Sequence, residues 1–178
     1  MWLCEGSKVD WTAVAACIAL AVWIFDKFQR GRERTASARL LAQIMISHIA
    51  TTQGELAKFR STVVPSSGDQ SFLIDVRNSQ EARQTLASKA LLLSVELPSQ
   101  FLDKADLFSE SLSQTLANAL FQVNHLKNFS KLLGDVPDSS PEVEIDQHLM
   151  AVLTQIKDAE KAIDDAFKVL RHAGTSST

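Results

Sequence analysis

The chain has 178 residues, the length of one compact domain with room for little else. Hydrophobic residues make up 46% of the sequence and charged residues 22%, so neither a disordered chain nor a small disulfide-stabilised protein is expected. Only 6 glycines and 4 prolines are present, which disfavours an all-β fold with many tight turns. The net charge of −3 argues against a basic nucleic-acid-binding protein.

The first element is an uncharged apolar run, WTAVAACIALAVWIF, over residues 11–25. As a helix it covers roughly 22 Å, against a hydrocarbon core of roughly 30 Å. Tryptophans near both ends are typical of a membrane boundary, and Lys8 and Lys27 can extend outward to lengthen the helix. We predict a membrane-spanning helix whose residues include Trp11, Ala16, Cys17, Leu20, Trp23 and Phe25.

Two other interpretations of this run stay open, a cleaved signal peptide and a buried core helix. A signal peptide begins with a positively charged region, whereas here Glu5, Lys8 and Asp10 precede the apolar run. A core helix would fit its length. We favour an uncleaved anchor.

The charges after the run predict its orientation. Lys27, Arg30, Arg32 and Arg34 follow it, whereas Lys8 is the only basic residue before it. Because basic flanks stay in the cytoplasm, we predict an amino terminus outside and a carboxy-terminal domain inside the plasma (inner) membrane. The basic residues could also touch anionic lipid headgroups, but we favour a role in topology alone.

Four segments after residue 36 have the hydrophobic spacing of amphipathic helices. The first is predicted to end before Pro65 and Gly68, and the second to cover residues 71–96, ahead of Pro98. The predicted apolar faces are Leu41, Met45, His48, Thr52, Leu56, Phe59 and Val63 in the first helix, and Phe72, Val76, Ala82, Leu86, Ala90, Leu93 and Leu97 in the second.

A third helix is predicted from Pro98 to Leu133, with Gly134 as its left-handed terminating residue. Ser140 and Pro141 predict the start of the fourth helix, which has the cleanest period. The apolar faces are Phe101, Ala105, Phe108, Leu112, Leu116, Ala119, Val123 and Leu126 in the third helix, and Ile145, Leu149, Val152, Ile156, Ala159, Ile163, Ala166 and Leu170 in the fourth.

We therefore predict an all-α protein, in which an N-terminal transmembrane helix is followed by an antiparallel four-helix bundle. The predicted parts are a membrane anchor (1–28), a basic juxtamembrane segment (29–35), the bundle (36–173) and a disordered tail (174–178). A parallel homodimeric coiled coil is the competing architecture, since the fourth helix keeps a strict register. The lengths of the turns at 64–70 and 134–141 favour the intramolecular bundle.

Residues capable of chemistry are few. The Glu-x-x-His signature of di-iron bundles does not occur, and the pair Glu144 and His148 lacks a second half-site. His48 lies on an apolar stripe, where an interior histidine is expected more often than a catalytic one. The sequence has no phosphate-binding glycine loop and no nucleophile motif. We predict no metal site, no cofactor and no enzyme activity.

The expected function is a single-pass, membrane-anchored interaction or scaffold module on the cytoplasmic face. Its predicted partners are the lipid bilayer and either another protein or a second copy of the chain, with no nucleic acid. Candidate docking residues are Leu91, Leu92 and Leu93, or Leu107 and Phe108, unless these belong to the core. The alternatives are a holin-like or toxin-like membrane-perturbing oligomer, given small residues such as Ala16 and Ala19, and a small-ligand sensor bundle.

Overall fold

The computed structural model describes residues 11–65, 70–95, 97–98, 104 and 107–175, and only the backbone of 11–18. These residues form α-helices without a strand, so the predicted all-α class is confirmed for the described part of the chain. The helices are α1 (Trp11–Val63), α2 (Ser71–Asn78), α3 (Gln80–Leu91), α4 (Glu110–Asp135) and α5 (Glu142–Thr175).

The chain divides into two compact units, and the division falls inside α1. The amino-terminal unit is Met1–Ser37, and the bundle unit is Ala38–Thr178. In the bundle unit, α3 packs on α4, α4 packs on α5, and the short α2 contacts both α3 and α5. Buried side chains from α1 join the same core, so this unit is a helical bundle.

The bundle part of α1 buries one stripe of side chains. Met45, Leu56 and Val63 are 1% exposed or less, and the predicted stripe is confirmed at these positions. His48 is only half-buried, and its neighbour Ile49 occupies the core position instead. Thr52 is also buried, and its hydroxyl, which has one proton to donate, lies within hydrogen-bond distance of two carbonyl oxygens, those of His48 at 3.1 Å and Ser94 at 2.9 Å.

The predicted second helix, residues 71–96, is wrong as a single element. Ser79 has extended backbone angles, φ −137° and ψ 126°, and separates α2 from α3. Its hydroxyl accepts a hydrogen bond from the backbone N–H of Ala82, so it is the N-cap of α3. The side chain thereby satisfies a donor that a continuous helix would have paired with a backbone carbonyl. α3 then ends at Leu91, five residues before the predicted end.

The predicted third helix begins too early. Ser109 is the N-cap of α4, since its hydroxyl accepts from the N–H of Leu112 at 3.3 Å. Leu107 and Phe108 therefore precede the helix, and Phe101 and Ala105 lie outside the described residues. From Leu112 to Leu126 the predicted apolar face is buried as expected.

Gly134 is not a left-handed terminating residue, because α4 continues through it to Asp135. A Cβ at this position would lie 2.9 Å from Cβ of Ala87 and 3.5 Å from the carbonyl oxygen of Arg83. The glycine is therefore required by the close approach of α3 and α4 rather than by its backbone angles.

The fourth predicted helix is confirmed as α5. Every residue of its predicted stripe, from Ile145 to Leu170, is buried within the chain itself. The carbonyl of Pro141 accepts the N–H of Glu144 at 3.0 Å, which places the start within a residue of the predicted cap. Gly174 and Thr175 belong to α5, and 176–178 lie outside the described residues.

Candidate functional site

The most unusual surface belongs to the amino-terminal unit. Its large apolar side chains between residues 20 and 28, here called the apolar segment, are 43–72% exposed. Because successive residues of a helix are rotated by about 100°, these side chains point in every direction around α1. They are Leu20, Val22, Trp23, Ile24, Phe25 and Phe28.

The structure gives only part of the predicted membrane span. Leu20, Trp23 and Phe25 are exposed, whereas the side chains of Trp11, Ala16 and Cys17 lie outside the described residues. Within the part of the chain that the structure describes, no helix has an apolar stretch long enough to cross a membrane. The predicted transmembrane helix is therefore not supported by the described helices.

The predicted basic residues lie directly beyond the apolar segment. Lys27 Nζ is 5.0 Å from the centroid of the Trp23 ring, a cation–π contact. Arg30 Nη2 is 3.0 Å from Asp26 Oδ2, and both side chains are largely exposed. Arg32 and Arg34 are also exposed, and no acidic side chain among the described residues lies within ion-pair distance of either.

A second apolar surface lies on the bundle unit, beside the end of α3. Leu91 and Leu92 are 53% and 80% exposed, so these two of the three candidate docking leucines lie at the surface. Ala90 and Leu93 take the core positions instead, because α3 ends here and only one side of it faces the core. The half-buried Leu107 and Phe108 form no comparable exposed surface.

Leu92 borders an open groove of about 390 Å³, here called the leucine groove. Its floor is Phe59 and Leu93, which are largely buried. Lys58 and Lys89 are the basic residues of its walls, against a single acidic residue, Glu55; Thr62 completes the lining. The groove therefore combines an apolar floor with a slightly positive rim.

The structure also contains a buried arginine that the sequence analysis missed. Arg83 is fully buried on α3 and donates through Nε and Nη2 to the carbonyl of Val136, at 3.2 and 3.1 Å. Its Nη1 donates to the carbonyls of Val76 and Arg77, both at 3.1 Å, at the end of α2. Its Nη2 lies 2.6 Å from Asp138 Oδ1. The arginine therefore connects α2, α3 and the α4–α5 loop.

Arg83 had a sequence signal. It precedes Leu86 by three residues and Ala90 by seven, which places it on the buried face of the helix. The predicted face used its neighbour Ala82, which is only half-buried. An arginine at a core position indicates carbonyl groups that need donors, as the ends of helices provide.

The histidines form no reactive group among the described residues. The ring nitrogen Nδ1 of His148 lies 2.9 Å from the carbonyl oxygen of Glu144, so it donates to the backbone. His125 lies between Phe121 and Phe129, with ring centroids 4.1 and 5.8 Å away. The described part of the chain has no group of three His, Cys, Asp or Glu side chains placed to hold a metal ion.

Comparison of the chain with protein-family models, with curated proteins and with solved structures finds no match. The two apolar surfaces and the charges beside them are therefore the features of the chain that indicate a function.

Proposed function

We propose that the protein is a membrane-anchored helical bundle that binds another protein, with α1 as the anchor and the bundle unit as the binding module. The observation that carries the proposal is the exposure of large apolar side chains on all sides of α1 between residues 20 and 28. A helix that is apolar all round is stable where its whole circumference is removed from water. The role is one of binding rather than catalysis.

A lipid phase fits this distribution better than a protein groove does. A groove covers one side of a helix and leaves the opposite side in water. Phe25 and Ile24 are separated by about 100°, and Trp23 lies about 100° further round, so one groove would leave part of the segment exposed. Lipid chains surround a helix completely, and the indole of Trp23 beside Lys27 suits the headgroup boundary.

Anchoring does not depend on a complete crossing. The apolar run 11–25 covers roughly 22 Å as a helix, which enters well into a hydrocarbon core of roughly 30 Å. In its finer form the proposal is a single pass through the inner membrane, with the amino terminus outside and the bundle on the cytoplasmic face. Extension of Lys8 and Lys27 to the two headgroup regions would supply the remaining length.

The binding part of the proposal is assigned to the leucine groove. Leu92 is 80% exposed beside the apolar floor formed by Phe59 and Leu93, a combination that a partner helix can cover. The lysines Lys58 and Lys89 favour a partner that carries acidic residues beside its apolar ones. The proposed occupant is therefore an acidic amphipathic helix of another protein.

Flotation with phosphatidylcholine vesicles tests the anchor. The triple variant Trp23→Ser/Phe25→Ser/Phe28→Ser should lower partition into vesicles by more than about 100-fold, since burial of each aromatic side chain contributes about 1.5–3 kcal/mol. The matched control is Leu91→Ser/Val143→Ser/Met150→Ser, which removes equally exposed apolar side chains from the bundle unit. The control should float like the unchanged protein, and equal flotation of all three proteins would refute the anchor.

Sidedness and partner binding need separate measurements. In intact cells, Cys4 should react with an impermeant thiol reagent while a cysteine added at the carboxy terminus does not. The reverse pattern would contradict the proposed orientation, with the amino terminus outside.

Partner binding is tested at the leucine groove. Leu92→Asp should abolish capture of a partner that the unchanged protein enriches. Leu132→Asp, at an exposed leucine on α4, should keep it.

A further inference from the structure

The basic residues beside the apolar segment carry a charge opposite to that of the rest of the chain. Residues 26–34 contain four basic and two acidic side chains, a net charge of +2, in a protein whose net charge is −3. The remainder of the chain therefore has a net charge of −5. Positive charge is concentrated where the apolar segment ends, whereas the other residues together are acidic.

Two of the four basic side chains are already engaged by neighbours within α1. Arg30 is paired with Asp26, and Lys27 lies over the ring of Trp23. Arg32 and Arg34 are exposed and have no acidic side chain within ion-pair distance among the described residues. These two arginines are available to an anionic ligand.

The distance along the helix decides whether they reach a membrane surface. Arg34 is six residues beyond Phe28, which is about 9 Å along the axis. This distance is close to the Debye length of about 8 Å at physiological salt, so both arginines lie within the range of a charged lipid surface. Guanidinium groups also form paired hydrogen bonds with phosphate oxygens.

We propose that the membrane to which the apolar segment binds is an anionic one, recognised by Arg32 and Arg34. The inference rests on the proposed membrane anchor and adds the lipid class. An acidic protein or a nucleic acid would satisfy the arginines and leave the apolar side chains of residues 20–28 in water. An anionic bilayer satisfies both, because it places acyl chains and phosphate groups a few ångströms apart.

Partition into two kinds of vesicle tests the inference. The full-length protein is mixed with vesicles of phosphatidylcholine alone, or of phosphatidylcholine with phosphatidylserine, and bound protein is measured at low and high salt. A basic residue near an anionic surface contributes about 1 kcal/mol, so two give a preference of roughly 30-fold for the anionic vesicles. High salt should remove most of this preference.

The double variant Arg32→Gln/Arg34→Gln should lose the preference and keep its binding to phosphatidylcholine. The control Lys157→Gln/Lys161→Gln removes two exposed positive charges from α5 and should keep the preference. Equal binding of the unchanged protein to both vesicles would overturn the lipid assignment alone. An undiminished preference in the arginine variant would overturn the role of the two arginines, and no binding to either vesicle would overturn the anchor as well.

Discussion

The two units use the same residue types in opposite surroundings. In the bundle unit, leucines such as Leu126 and Leu170 are fully buried, and the single buried arginine of the described residues, Arg83, has a hydrogen-bond acceptor at each of its three nitrogens. In the amino-terminal unit, Leu20 is 61% exposed, and Arg32 and Arg34 are open to solvent. The bundle unit covers the apolar side chains of its core and pairs its buried arginine internally, whereas the large apolar side chains at residues 20–28 of the amino-terminal unit stay exposed.

This difference distinguishes groups that hold the fold together from groups that are available for binding. A side chain that is covered by its own chain contributes to the free energy of unfolding. An exposed side chain contributes instead to the free energy of binding, when a membrane or another molecule covers it. Substitutions of one residue type in both units should therefore affect different measurements. Paired substitutions in the full-length protein, measured in mild detergent, test this difference.

The largest difference is expected between two arginines. Arg83→Gln should lower the free energy of unfolding by about 3–5 kcal/mol, because it removes the donor to the carbonyls of Val76, Arg77 and Val136, each worth about 1–3 kcal/mol if left unpaired. The carboxylate of Asp138 is exposed and keeps the N–H of Gln80 as a donor, so it adds little to this loss. Arg32→Gln should leave unfolding unchanged. Urea titration followed by far-ultraviolet circular dichroism measures both, and similar losses in the two variants would contradict the comparison.

Two leucines come next. Leu126→Ala should cost about 2–5 kcal/mol of unfolding free energy, since its side chain is fully buried and leaves a cavity. Leu20→Ala removes the same atoms from an exposed position and should change the unfolding midpoint little, while it weakens vesicle binding. The comparison fails if Leu20→Ala destabilises the bundle as much as Leu126→Ala does.

Two glycines should give effects of opposite sign. A methyl group at Gly134 would collide with Ala87, and this collision costs about 1–3 kcal/mol of stability. The higher helix propensity of alanine returns about 1 kcal/mol, so Gly134→Ala should give a net loss of up to about 2 kcal/mol. Gly31 has nothing within 4 Å of the added carbon, so Gly31→Ala should raise the helix content of the amino-terminal unit. Thermal unfolding and circular dichroism provide the two measurements, and a stabilising Gly134→Ala would refute the close helix contact.

The smallest effect is expected at an exposed ion pair. The hydrogen bond and negative charge of Asp164 raise the pKa of Lys168 above its ordinary value of 10.5. Because the folded-state pKa is the higher one, the stabilisation is complete below pH 10.5 and is lost as the pH rises through the folded-state pKa. Lys168→Met should therefore cause a slight loss at neutral pH that disappears in strong alkali, as urea midpoints across pH would show.

The sequence predicted the helices of the bundle most accurately where the spacing of apolar residues alone determines which face is buried. α5 has a buried stripe that follows steps of three and four, and its predicted and observed faces agree. The prediction failed where a short polar side chain competes with the helix. Ser79 and Ser109 both accept a backbone N–H three residues later, and each begins a helix at a point that hydrophobic spacing does not mark.

The candidate sites were predicted in part. The basic residues after the apolar run were identified from their position alone, but the exposure of Leu91 and Leu92 depends on where α3 ends. Gly134 was assigned to a helix end because glycine is used both at left-handed helix ends and where two helices approach closely. The distance to Ala87, which the sequence does not contain, shows that the second use applies. The tertiary contacts, and not the residue type, determine whether an apolar side chain is buried in its own chain or left exposed.

Tryptophan fluorescence offers the most direct test, because the three tryptophans of the chain, Trp2, Trp11 and Trp23, all belong to the amino-terminal unit and the protein has no tyrosine. In a Trp2→Phe/Trp11→Phe variant, Trp23 is the sole reporter. With vesicles containing phosphatidylserine, its emission should shift to shorter wavelength, resist quenching by aqueous iodide and be quenched by lipids brominated on their acyl chains. Emission that is unchanged by vesicles and still quenched by iodide would contradict the account.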